Sequence, residues 1–149
     1  MGAKALIARV ERSAGPFTLT VGVHGEEGGA STEDGKTTVG EVATMNEFGL
    51  GVPERSFIRA WAEEADGECR ANLKALAVAI TKGAVPDAQT GLDQLGLKFV
   101  GQVQARISSG IPPENAQSTV DKKGSSTPLI NRGQLRSSVR HKVEAGDKS

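Results

Sequence analysis

Tyrosine is absent, tryptophan occurs once and phenylalanine four times, so aromatics make up only 3% of the 149 residues. A core must therefore rest on Leu, Val, Ile and Ala, with Phe57, Trp61, Leu73 and Phe99 as its candidate anchors. The one cysteine, Cys69, can form no internal disulfide, and no CxxC or Cys/His spacing offers a structural zinc site, a pattern that suits a reducing compartment. Net charge is missing too, because 18 Lys+Arg balance 18 Asp+Glu. That removes the overall attraction on which nonspecific binders of DNA or anionic membranes depend. No run approaches the ~18 apolar residues of a membrane span. The first ten residues carry Lys4 and Arg9 and lack the apolar core of a secretion signal.

What is present is a chain of single-domain size, residues 1–149, with 19 glycines and a mean hydropathy of −0.30, which points to long loops around a modest folded centre. Charge is distributed unevenly. Residues 1–23 carry +2, His24 to Glu68 carries −8, Cys69 to Val120 carries +2 and Asp121 to Ser149 carries +4. The acidic first half and the basic tail either neutralise each other within one fold or meet between copies, where a heterologous contact joins two unlike patches.

Alternation of Phe17, Leu19, Val21 and Val23 with Thr18, Thr20 and Gly22 predicts a half-buried strand. Residues 24–37 read as a mobile acidic loop, glycine-rich and without apolar periodicity; it has no GK[ST] ending, and its carboxylates would repel a phosphate. Thr38-x-x-Glu41 has the form of a capping box, predicting a short helix of about ten residues that Gly49 stops in a left-handed turn. A long helix follows, its stripe formed by Phe57, Trp61, Ala65, Cys69, Leu73, Leu76 and Ile80 and its end marked by Gly83 and Pro86. Cys69 on that stripe reads as a small buried hydrophobe. A second long helix spans about Asp87 to Ser108. Its interior Gly96 and Gly101 each cost about 1 kcal/mol relative to Ala, compensated by close packing of another backbone or by a kink.

Residues 112–133 read as a long loop without periodicity. Leu135 to Val143 alternates as a final strand whose basic face holds Arg136, Arg140 and Lys142, and residues 144–149 should fray. An N-terminal strand around Leu6 to Val10 is also expected. The fold class is therefore α+β: two long helices and one short helix packed on a small antiparallel sheet, with long mobile loops. Catalysis has no sequence support, because His24 and His141 stand at opposite ends of the chain without a conspicuous nucleophile, and no cofactor motif exists.

Two stretches read together. The first holds Val42-Ala43, Glu47-Phe48-Gly49 and Pro53-x-Arg55-x-Phe57-Ile58-Arg59; the second holds Lys122-Lys123, Thr127-Pro128-Leu129-Ile130 and Gly133-Gln134-Leu135-Arg136-x-Ser138. In order and spacing they resemble the tail-component and virion-morphogenesis proteins of tailed bacteriophages. That resemblance implies a tail-completion or head-to-tail joining subunit without an active site. Such a subunit would form a ring, sixfold by analogy, around the channel through which DNA passes. Its partners would be identical subunits and neighbouring neck and tail proteins, with no membrane and no cofactor, and its place would be the virion, assembled in the host bacterial cytoplasm. Candidate subunit contacts are Glu47, Phe48, Gly49, Arg55, Lys122, Lys123, Arg132, Arg136, Arg140 and Lys142. A tail-terminator ring is the nearest alternative. A small DNA-binding module would instead use Lys122, Lys123, Arg136, Arg140 and Lys142, though no aromatic residue is interleaved for base stacking. A virion-associated hydrolase would need His24 or His141 to meet a carboxylate.

Overall fold

The computed structural model describes residues 17–32, 35–111 and 133–146. Its elements run β1 (Phe17–Val23), α1 (Gly25–Gly28), α2 (Val39–Phe48), α3 (Arg59–Lys82), α4 (Ala88–Ser108), α5 (Gly133–Ser137) and β2 (Val139–Ala145). The fold is α+β, and β1 and β2 pair in a two-stranded antiparallel sheet. The expected strand at Leu6 to Val10, nearly all of the 112–133 loop and the last three residues of the tail lie outside the described residues.

Local chemistry explains most boundaries. The hydroxyl of Thr38 accepts from the Glu41 amide at 3.2 Å, and the Glu41 carboxylate accepts from the Thr38 amide at 2.7 Å, so two orphan donors at the start of α2 are satisfied reciprocally. Thr38→Ala should cost about 1 kcal/mol in urea unfolding, while a substitution at the nearby exposed Thr44 serves as the control. Gly49 ends α2 at φ 69°, its amide donating to the Met45 carbonyl. Gly83, at φ 85°, follows α3. Asp87 begins α4, its carboxylate accepting from the Thr90 amide at 2.8 Å.

The chain gathers into two compact units. One is built on Ala65–Phe99 with the chain of 17–21 and 141–146, and the other on Gly22–Glu64 and Val100–Arg140. In the first, Ala65, Ile80, Ala88, Leu92 and Phe99 are buried, and Leu76 lies against Gly91, where no side chain would fit. Gly96 is explained by close packing, but of a side chain rather than a backbone: a Cβ there would stand 2.3 Å from Cδ2 of His141. Gly101 meets nothing within 4 Å, so no packing compensates its presence in the helix. In the second unit the core holds Val39, Val42, Phe57, Val103, Ile107, Leu135 and Val139. Trp61 is half-buried there and its indole N–H donates to the Gln102 side-chain oxygen at 2.9 Å.

Four expectations are corrected. Leu73 is not a core anchor, being 48% exposed, because the apolar stripe of α3 is buried only where Ala65 and Ile80 meet neighbours. Phe57 and Phe99 do anchor the core. The acidic segment 24–37 is not simply a loop: it holds α1 and a bridge between Ser31 and Thr38, with Thr32 buried and bonded to Thr37. The final strand begins at Val139 rather than Leu135, since Gly133–Ser137 closes a helical turn in which the Ser138 amide donates to Gln134 and Leu135 carbonyls. Gly133 thus opens a helix, and Arg136 leaves the strand face that Arg140 and Lys142 share. Glu144 and Ala145 belong to β2, so fraying cannot begin before Gly146.

Candidate functional site

The block around Glu47-Phe48-Gly49 builds a corner between α2 and α3, wholly within the second unit. After Gly49 the chain doubles back, and the Arg55 amide donates to the Asn46 carbonyl at 2.7 Å. This return brings the start of α3 beneath the Glu47 carboxylate. One oxygen accepts from the Ser56 hydroxyl at 2.7 Å and the Arg59 amide at 2.9 Å; the other accepts from the Phe57 amide at 2.9 Å and the Ile58 amide at 3.2 Å. The Ser56 hydroxyl in turn accepts from the Ala60 amide at 3.0 Å.

A helix N-terminus has amides without intrahelical partners and a partial positive charge, and here the Glu47 carboxylate accepts from the Arg59 amide and the two amides before it while the Ser56 hydroxyl takes the Ala60 amide. Burial alone would raise the pKa of Glu47, but the bonds from Ser56, Arg59, Ile58 and Phe57 outweigh it and hold the carboxyl below its ordinary value. Such a carboxylate is saturated with donors. It is a structural staple rather than a base.

Beside the staple lies an apolar groove of ≈ 630 Å³, whose walls include Val23, Gly40, Ala43, Phe48, Phe57 and Ile58. Phe48 is 56% exposed at its rim and Leu50 is 54% exposed just beyond. The Arg59 guanidinium lies 5.6 Å from the Phe48 ring centroid and pairs with Glu54. Gly40 permits the close approach of α1: a Cβ there would meet the Gly28 carbonyl oxygen at 3.1 Å.

The ten contact candidates separate accordingly. Phe48, Arg136, Arg140 and Lys142 are exposed and available to a partner. Glu47 and Arg55 are buried, and as subunit contacts they are corrected, because the corner consumes the Glu47 carboxylate and burial lowers the pKa of Arg55. Gly49 serves the turn itself, with Glu54 packed so closely that an added Cβ would meet it at 3.1 Å. Lys122, Lys123 and Arg132 lie outside the described residues. Sequence reasoning missed Ser56 as the hydroxyl that links Glu47 to the helix, and missed Leu50 at the rim.

Elsewhere, His141 Nε2 meets Asp93 Oδ1 at 2.6 Å, the histidine–carboxylate encounter that a hydrolase would need. The ring is seated on Gly96, so the pair ties β2 to α4. Cys69 is half-buried, and burial, with Glu68 and Asp66 nearby, raises its pKa and keeps it a protonated thiol. Among the described residues no three His, Cys, Asp or Glu side chains gather as metal ligands, and no helix is long and apolar enough to cross a membrane. Comparison with family models, curated proteins and solved structures finds no match.

Proposed function

We propose that this chain is a structural subunit of a tailed-bacteriophage virion, a tail-completion or head-to-tail joining protein that assembles as a ring, sixfold, around the DNA channel. The reading rests on the ordered pair of sequence blocks, from Val42 to Arg59 and from Lys122 to Ser138. Support comes from what the first block builds: a corner stapled by Glu47 that presents Phe48, Leu50 and an apolar groove to solvent. Exposed apolar surface on a rigid frame is the ordinary signature of a surface that is covered on assembly. The opposed charges of the acidic first half and basic tail add a second means by which unlike patches of identical subunits are drawn together. In this role the protein transforms no molecule, and its work is done in the particle after assembly in the host cytoplasm.

Electron microscopy of the purified chain, alone and mixed with tails that lack it, tests the proposal. Annular particles and their capture at one end of the tail are the expected result. A protein that stays monomeric at every concentration and leaves tails unaltered would refute it.

A further inference from the structure

We propose that the apolar groove at the Glu47 corner receives the second half of α3 from another copy of the chain, in a head-to-tail contact. The inference rests on the ring reading above and gives it a specific junction. Among the described residues the large exposed apolar side chains are Phe48, Leu50, Leu73, Val78 and Leu97. Phe48 stands at the groove with Leu50 two residues beyond it, and Val78 stands on the second half of α3, so three of the five fall to one contact.

The second half of α3 is unusual for a surface helix. From Ala71 to Ile80 the only charge is Lys74, yet Ala71, Leu73, Ala75, Ala77 and Val78 are all exposed. A helix apolar on nearly all sides is ordinarily covered on nearly all sides. Ala71, Lys74 and Val78 recur at the i, i+3, i+7 spacing with which a helix lays one face into a groove, and the alanines let its backbone approach closely.

Charge selects the occupant. Beyond Glu68 the helix carries Arg70, Lys74 and Lys82 and no acid, all three exposed. Beside the groove, Glu41 is exposed on α2, which forms its wall, and Glu26 is exposed on α1, which packs against α2 at Gly40, while Arg59 at the mouth is already paired with Glu54. The stretch His24 to Arg59 that contains the groove carries −4. An apolar, basic helix face therefore matches an apolar, acidic groove, with Val78 entering it and Lys74 and Lys82 reaching the rim. Because the two patches differ, the contact is heterologous and propagates to a ring when its rotation closes.

Sedimentation of the full-length chain tests this. Val78→Glu and Phe48→Glu, both at exposed positions, should each weaken self-association about tenfold or more, with far-UV circular dichroism unchanged. Ala71→Glu, on the same face as Val78, and Leu50→Glu repeat the experiment on each patch and guard against a misfolded variant. Mixed one to one, the helix variant and the groove variant should form a two-chain complex and nothing larger, since each supplies the patch the other lacks. If the wild type forms rings and the variants do too, the junction is wrong while the ring stands. If the variants are monomeric but fail to pair on mixing, a symmetric contact has replaced the proposed one and the inference falls. A wild type that never associates removes the ring reading and this inference together.

Discussion

Glu47→Ala should lower the unfolding free energy by about 3 kcal/mol, the largest loss expected from any polar side chain at the corner. The change leaves the Ser56 hydroxyl and the amides of Phe57, Ile58 and Arg59 without their acceptor, and Phe57 is fully buried, so water cannot replace the carboxylate at that amide. Glu47→Gln should cost less, about 2 kcal/mol, because its carbonyl oxygen still accepts while its NH2 confronts donors. The pH dependence separates the charge from the shape. Since the folded carboxyl is held below its ordinary value, its stabilising contribution is fully present above that value and is lost as pH falls through the depressed folded value. Urea titrations at neutral pH and at a series of acidic values should therefore show wild type and Glu47→Gln converging as the pH drops. Parallel curves at every pH would show that the staple does not depend on its charge.

Two glycines five residues apart on α4 should respond to the same substitution with opposite signs. Gly96→Ala should destabilise by about 2 kcal/mol, because the new methyl group would lie 2.3 Å from Cδ2, 2.5 Å from Cγ and 2.9 Å from Cβ of His141. The imidazole cannot simply rotate away without giving up its bond to Asp93, and the Cβ contact sits next to the β2 backbone. Gly101→Ala should stabilise by about 0.5–1 kcal/mol, since the site is open and a helix interior favours Ala. Thermal melts of the two variants beside the wild type decide the matter, and equal upward shifts would show that His141 does not fill the notch at Gly96.

These cases also mark where sequence suffices. The Thr38–Glu41 box and the Gly49 stop were legible because both partners lie within one helical turn of each other, where residue type and spacing determine the bond. The same segment hid the role of Glu47, since its acceptors' partners lie nine to twelve residues on and meet it only after the chain reverses. Periodicity correctly placed the apolar stripe of α3 but carries no information on how far a neighbour extends along it, which is why Leu73 was misjudged. Alternation from Leu135 to Val143 failed at its first residues because one turn of helix is too short to impose a period of its own. Gly96 was legible as an anomaly, and only its occupant, drawn from a residue 45 positions away in the chain, was not.

The indole of Trp61, held by Gln102 and half shielded from water, is the chain's sole tryptophan in a sequence without tyrosine. Ultraviolet emission of the protein therefore originates at a single point between α3 and α4, and its colour reports whether those helices are docked there. Any loosening of that junction, by acid, heat or an arriving partner, is readable as a red shift without attaching a dye.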